Sequence, residues 1–159
     1  MNFSNLQKEA ALKMPEWKAF FAKNKQRLMK MDKEIAQLHR EAEAEIDCLA
    51  CGNCCRTLGP MILAKDVDAM CRSLRMKPAD FISNYLKTDE DKDMVFKTMP
   101  CPFLGDDNYC SVYENRPKAC REYPHTDRKK FYQIFELSMK NAAICPIVFR
   151  VLEKLKEVR

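Results

Sequence analysis

The sequence is poor in glycine, and this scarcity restricts the kinds of ligand site it can build. Only three glycines, Gly52, Gly59 and Gly105, occur in 159 residues. Loops that cradle phosphate need several positions without a Cβ atom, and neither G-x-G-x-x-G nor G-x-x-x-x-G-K-[ST] occurs. The sequence therefore offers no support for a Rossmann or P-loop nucleotide site.

Long apolar runs and a leader pattern are also missing. No run approaches the roughly 18 apolar residues of a membrane span. The opening MNFSNLQKEAALK has no basic n-region, apolar h-region or small-residue cleavage site. We therefore expect a soluble, cytoplasmic protein that makes no membrane contact. Disulfides are uncommon in that reducing compartment, and the odd total of nine cysteines fits poorly with a fully paired framework.

The net charge is modest and depends on the state of the cysteines. The formal value of +5 treats every cysteine as neutral. Eight thiolates around two divalent ions would bring the charge to about +1, because metal ligands are deprotonated. A nucleic-acid partner is therefore not favoured.

The first 47 residues contain no cysteine and no glycine, and they predict a long amphipathic N-terminal helix. Pro15 suits the first turn of that helix. The apolar stripe packs either within the chain, on the cysteine-bearing part or on a short antiparallel helix, or against another chain as a coiled coil. The stripe comprises Met14, Trp17, Phe21, Leu28, Met31, Ile35, Leu38 and Ala42.

Residues 48–159 predict a second domain, which we expect to be small, irregular, stabilised by metal and mainly α with a few short strands. Helical spacing occurs in AKDVDAMCRSL, KPADFISNYL and PIVFRVLEKLKEV. GPMIL at 59–63 and MVFKTM at 94–99 suit strands, and the charged segment 87–93 suits a loop. KKFYQIFELSMK fits a helix and a strand equally well.

Eight cysteines form two groups that suit metal ligation. The stretch CLACGNCC repeats Cys-x-x-Cys around Gly52, a spacing typical of zinc knuckles and of the ferredoxin ligand run. The tight group contains Cys48, Cys51, Cys54 and Cys55, and the dispersed group contains Cys101, Cys110, Cys120 and Cys145. Eight is twice the four thiolates that a tetrahedral zinc or a cubane cluster requires. Zinc and iron–sulfur both remain open.

Two details refine this interpretation of the cysteines. Neighbouring side chains of an extended backbone point to opposite sides, so Cys54 and Cys55 are expected to serve different metals. The dispersed group has no knuckle spacing. The ninth cysteine, Cys71, lies on the apolar face of a predicted helix, where we expect it to be part of the core.

Charged residues near the dispersed cysteines are candidates for contact with a cofactor. Arg116 and Arg121 stand beside two of these sulfurs in YCSVYENRPKACREYP, where they could offset thiolate charge or simply be solvated or paired with carboxylates. His125 is a candidate ligand or proton-transfer group. His39 is expected to face solvent.

Together, CLACGNCC, CPFL, CSVYENRPKACREYP and the final CP resemble the YkgJ-like or CxxCxxCC cysteine-cluster family, a zinc- or iron-chelating family. The resemblance covers roughly Cys48 to Cys145, and it implies that the eight grouped cysteines bind metal. The related flagellin lysine methylases have a similar cysteine run, which suggests an S-adenosylmethionine-dependent enzyme. The short, glycine-poor chain and the missing Cys-x3-Cys-x2-Cys run do not favour that alternative.

The sequence thus predicts a metal-binding protein that holds zinc or an iron–sulfur cluster. It would act as an electron carrier or a metal-handling accessory protein. One alternative is a methyl or redox transferase with its cluster near Arg116, Arg121 and His125. Another is a zinc-stabilised interaction module that binds a protein partner or itself through the N-terminal helix. Whether the protein is an enzyme stays open.

Overall fold

The computed structural model describes residues 3–158, with no account of the Phe3 side chain. Residues 1, 2 and 159 belong to the predicted domains 1–47 and 48–159 but lie outside the residues that the structure describes. Helix accounts for 62% of the chain, so the expected mainly α class is confirmed. The helices are α1 (Phe3–Leu28), α2 (Asp32–Glu45), α3 (Cys48–Cys51), α4 (Asn53–Thr57), α5 (Ala64–Leu74), α6 (Pro78–Tyr85), α7 (Lys118–Glu122), α8 (Phe135–Asn141) and α9 (Pro146–Leu155), and the strands are β1 (Leu86–Thr88) and β2 (Met94–Phe96).

The chain divides into two compact units. Unit 1 comprises Met1–Cys48 with Pro124–Arg159, and unit 2 comprises Leu49–Tyr123. The C-terminal helix α9 therefore packs within the same unit as α1 and α2. The predicted domains 1–47 and 48–159 stay a prediction, since compact packing does not test which segments fold independently.

The N-terminal segment of unit 1 forms two helices rather than the predicted single one. A turn at Met29–Lys30 separates α1 from α2. Pro15 lies inside α1 and not in its first turn, so that expectation was wrong. The predicted long N-terminal helix is nevertheless present as the 26 residues of α1.

The apolar stripe of these helices is covered within unit 1. α2 packs along α9, and α1 contacts α8 and α9. Trp17 meets Phe149 edge-on at 5.5 Å between ring centroids, and Phe21 stacks on Phe135 at 4.6 Å. Full burial of each large apolar side chain stabilises the fold by about 1.5–3 kcal/mol. The predicted contact with another chain is not tested here and stays a prediction.

His39 corrects another expectation, because it is buried in unit 1. It is 7% exposed, and its Nδ1 lies 2.7 Å from Oγ1 of buried Thr126. The helical pattern of α2 placed His39 beside the apolar stripe, where the residues after Pro124 cover it. A buried polar ring needs such a partner.

Unit 2 has its own core around α5, α6 and the β1–β2 hairpin. Leu86 pairs with Phe96 in the antiparallel sheet, and the Phe81 and Phe103 rings stack at 6.1 Å. The core comprises Ile62, Val67, Met70, Cys71, Phe81, Leu86, Phe96, Phe103 and Val112, which confirms the expected place of Cys71.

Two strand predictions need correction. The segment 59–63 forms no named strand, although the Ile62 N–H donates to the Met94 carbonyl at 2.7 Å. The partner of β2 is instead β1, which takes Lys87 and Thr88 from the predicted loop. The ambiguous segment forms a 3₁₀ turn at Phe131–Ile134 followed by α8.

None of the helices formed by residues 3–158 combines the length and the apolar character that crossing a membrane requires.

Candidate metal centre

The CLACGNCC stretch folds into two short helical turns joined at Gly52. Gly52 has φ +60°, a left-handed conformation that separates α3 from α4 and that residues with a Cβ atom adopt only at a cost. Cys54 and Cys55 both lie on α4, and their Sγ atoms are 3.9 Å apart. The expected extended backbone, with its sulfurs on opposite sides, was therefore wrong.

Cys101 and Cys110 stand at the two ends of a short hairpin in unit 2. The Gly105 N–H donates to the Tyr109 carbonyl at 2.8 Å, and the Ser111 N–H donates to the Phe103 carbonyl at 2.9 Å. Both cysteines pack against the core of unit 2. The hairpin therefore brings two sulfurs that are nine positions apart in the sequence to one side of the same small element.

Backbone N–H groups point at both hairpin sulfurs. The amide of Phe103 bonds to the Cys101 sulfur, and the amide of Val112 bonds to the Cys110 sulfur. The Leu104 N–H donates to the Cys101 carbonyl at 3.1 Å. Such N–H donors satisfy thiolates that also bind a metal. The sequence shows no knuckle spacing here, because these contacts depend on the hairpin. The turn-forming residues from Gly105 to Asn108 were the signal that could have predicted that hairpin.

Cys120 is carried by α7, and a buried carboxylate secures the start of that helix. Asp66 Oδ1 accepts the Lys118 N–H at 2.9 Å, and Asp66 Oδ2 accepts the Leu63 N–H at 2.9 Å. Asp66 is 4% exposed, so these two N–H groups replace the water that it has lost. Sequence reasoning missed Asp66, whose only signal was its place in the first turn of α5.

Cys55, Cys101, Cys110 and Cys120 lie in one region of unit 2. The Cys101 N–H donates to the Cys55 carbonyl at 2.8 Å, which joins α4 to the hairpin. The sulfurs are close enough for the charge on Cys55 to act on each of the other three. Segments that are distant in sequence therefore supply one group of thiols.

Burial and mutual repulsion oppose ionisation of three of these thiols. Burial, with repulsion from Cys55 and Cys110, raises the pKa of Cys101 to about 11, although N–H donors partly offset the effect. Burial and the neighbouring thiolates raise the pKa of Cys120 to about 12, and burial also raises that of Cys110. A bound cation would reverse this balance, because it neutralises the repulsion and deprotonates its thiol ligands.

The Cys55 thiol differs from the other three. Its hydrogen bond with Cys54 lowers the pKa of Cys55 to about 7; burial opposes the effect, and the charges of Arg56 and Arg116 add to it. The Arg116 guanidinium carbon lies 3.7 Å from the centroid of the Tyr113 ring. Among the described residues, the buried Arg116 Nε has no hydrogen-bond partner.

These features fit a metal bound by thiolates. An unpartnered N–H beside several sulfurs suits an anionic acceptor, which a thiolate–metal centre provides. The donors are soft sulfurs, the ligand type that zinc and iron–sulfur clusters take. Within residues 3–158, no three Cys, His, Asp or Glu side chains already have the spacing of a coordination sphere, and no cysteines form a disulfide.

The other predicted site residues are Arg121, Cys51, Cys48, His125 and Cys145. Arg121 is exposed, and its guanidinium donates to the Arg116 carbonyl. Cys51 ends α3 in unit 2, while Cys48, His125 and Cys145 belong to unit 1. His125 has φ +63°, and Cys145 is buried at the start of α9. Their roles as ligands or cofactor contacts stay predictions.

Comparison with known families agrees with the chemistry of the sulfurs. The model of the family CxxCxxCC, described as "Putative zinc- or iron-chelating domain", matches residues 47–145. No curated protein and no solved structure matches the chain significantly.

Proposed function

Because the chain belongs to the CxxCxxCC family, we propose that it binds zinc or an iron–sulfur cluster through Cys55, Cys101, Cys110 and Cys120. The observation that carries this proposal is that these thiols lie near enough to each other in unit 2 for the charge on Cys55 to act on the other three. Four thiolates complete either a tetrahedral zinc site or the ligand set of one cluster. A bound zinc would cross-link the segments, and a cluster would add one-electron chemistry.

Neighbouring groups of this chain have defined roles in the proposal. The amides of Phe103 and Val112 donate to ligand sulfurs. The Arg116 charge favours the thiolate forms of Cys55, Cys110 and Cys120, which lowers the cost of assembling negative charge. Cys54 touches Cys55 and is available as an additional donor. The further ligands Cys48, Cys51 and Cys145 stay predictions from the sequence.

The finer function that we propose is electron transfer or metal handling as an accessory protein. The four central cysteines are half-buried rather than sealed in the core. A centre near the surface can exchange electrons or metal with a partner, whereas a purely structural ion is commonly enclosed. This exposure supports the proposal, and the identity of the metal decides between the two roles.

Anaerobic purification followed by metal analysis and an absorption spectrum tests the proposal. We expect either bound iron with visible absorption or colourless protein with stoichiometric zinc. Cys55→Ser should lower the metal content, since the substitution removes one of the four proposed thiolate ligands. Cys71→Ser is the matched control, because Cys71 lies in the core, and it should retain the metal. Folded wild-type protein that remains metal-free would refute the proposal.

A further inference from the structure

Two side chains hold the backbone of the cysteine turn without using any sulfur. Asn108 Nδ2 donates to the Ala50 carbonyl at 3.2 Å, and Arg56 Nη1 donates to the Cys51 carbonyl at 3.0 Å. Arg56 also donates to Asn108 Oδ1. We call Arg56 and Asn108, with these contacts, the clamp. It satisfies carbonyls at the end of α3, which have no partner within that helical turn.

The clamp joins two of the three segments that carry the central cysteines, the α4 segment and the hairpin. Arg56 follows Cys55 directly, and Asn108 lies in the hairpin between Cys101 and Cys110. The Cys101 N–H bond to the Cys55 carbonyl connects the same two segments. These polar contacts therefore hold α4 against the hairpin without using a cysteine sulfur.

Gly52 leaves the space that the clamp occupies. A Cβ atom at position 52 would lie 2.5 Å from Arg56 Nη1 and 3.2 Å from Asn108 Oδ1. Asn108 itself has φ +65°, a left-handed conformation that asparagine tolerates better than most residues. The residue types at these positions are thus the ones that the clamp geometry requires.

We propose that Arg56 and Asn108 are positioning residues for the metal site, which dock α4 onto the cysteine hairpin so that Cys55 meets Cys101 and Cys110. The inference rests on the proposed function. Outer contacts of this kind keep ligands in place and reduce the ordering that metal binding must otherwise impose. Their loss commonly weakens metal affinity by about 10- to 100-fold.

The test titrates reduced, metal-stripped full-length protein with Zn²⁺ in competition with a chromophoric chelator. Asn108→Gly removes the clamp side chain and accepts the left-handed backbone without strain. We expect it to bind Zn²⁺ about tenfold or more weakly than the wild type does. Lys92→Gly is the matched control, because Lys92 has φ +66° in the β1–β2 turn and carries no clamp contact. Lys92→Gly should bind Zn²⁺ as the wild type does.

A rescue variant separates positioning from general stability. Asn108→Asp keeps an acceptor for Arg56 but places an oxygen against the Ala50 carbonyl, so it should recover only part of the lost affinity. It also keeps the test decisive if Asn108→Gly fails to fold, since Asn108→Asp should still bind Zn²⁺ more weakly than the wild type does, and wild-type affinity there would overturn the clamp. Equal Zn²⁺ affinity in Asn108→Asp and Asn108→Gly would overturn the clamp, as would wild-type affinity in both.

Thermal unfolding with and without Zn²⁺ supplies a second readout. Ligand binding to the native state raises stability by an amount that grows with the logarithm of the affinity. The rise in Tm on adding Zn²⁺ should therefore be smaller in Asn108→Gly than in wild type. A merely structural role would instead lower the Tm of the variant by the same amount with and without Zn²⁺. Failure of wild-type protein to bind either Zn²⁺ or iron would count against the proposed function, while equal wild-type and variant affinities would overturn only the positioning role.

Discussion

At the level of single residues, two arginines with similar sequence settings have different surroundings. Arg116 is stacked on Tyr113 with a buried Nε, and its charge acts on cysteine sulfurs. Arg121 is exposed, and it donates to a backbone carbonyl. Both were predicted to contact a cofactor because they stand beside cysteines in the sequence. Neighbours in the chain do not reveal the direction in which a side chain points.

We predict that Arg116→Gln weakens binding of Zn²⁺ by roughly tenfold, because it removes a positive charge beside thiolates and an N–H donor. Competition with a chelator measures the change. Arg121→Gln is the control, and we expect a change of less than about threefold there. A larger effect at Arg121 than at Arg116 would contradict the assignment.

Glu153 of unit 1 makes a pH-dependent contribution to stability. Partial burial raises its pKa, but hydrogen bonds from Lys156, Lys13 and Trp17 outweigh burial and lower the pKa from its ordinary value. A lowered carboxyl pKa stabilises the fold above the unfolded value, and this stability is lost as the pH falls through the folded value.

We therefore predict that Glu153→Gln lowers the free energy of unfolding at pH 7 by about 1 kcal/mol or less, since the site is partly exposed. The difference from wild type should vanish in acid, below the folded pKa. Denaturant unfolding across pH measures the difference, and Glu157→Gln on the same helix end controls for net charge. A difference that stays constant with pH would show that Glu153 does not act through its charge.

At the level of secondary-structure elements, periodicity predicted helical faces well and helix ends poorly. The buried faces of α5, α6 and α9 include the expected Val67, Phe81 and Leu152. The break between α1 and α2 was missed, because no glycine or proline marks it. The start of α2 is held instead by a tertiary contact, because the Asp32 carboxylate accepts the backbone N–H groups of Lys130 and Phe131 at 2.6 and 3.2 Å.

Asp66 links α5 to the helix that carries Cys120, so its removal should act on more than one element. We predict that Asp66→Asn lowers the free energy of unfolding by about 1–3 kcal/mol, because an amide supplies only one acceptor for two buried N–H groups. Chemical unfolding measures the loss. Asp68→Asn, exposed on the same helix, should stay within about 0.5 kcal/mol of wild type.

At the level of the whole molecule, the two units differ in how they are stabilised. Unit 1 is built from large apolar side chains of α1, α2, α8 and α9. Unit 2 combines a smaller apolar core with thiols whose burial and repulsion are unfavourable without a cation. Bound metal should therefore matter chiefly to unit 2.

We predict that removing metal with a chelator lowers amide protection in Leu49–Tyr123 and leaves the helices of unit 1 protected. Hydrogen exchange of metal-loaded and metal-free protein measures this difference, since local opening reports local stability. The control is Zn²⁺-saturated protein measured under otherwise identical conditions. Equal loss of protection in both units would contradict separate stabilisation.

The sequence by itself determined the mainly α class, the buried faces of several helices and the candidate ligands among its cysteines. Those features follow from side-chain periodicity and from the chemistry of sulfur at short spacing, which are local properties. Only the tertiary structure decided that α4 places Cys54 beside Cys55, that a hairpin supplies N–H donors to Cys101 and Cys110, and that Asn108 meets Arg56. The first two depend on the local backbone path of α4 and of the hairpin, which periodicity does not predict. The Asn108–Arg56 contact joins residues 52 positions apart, so its geometry depends on how whole elements pack.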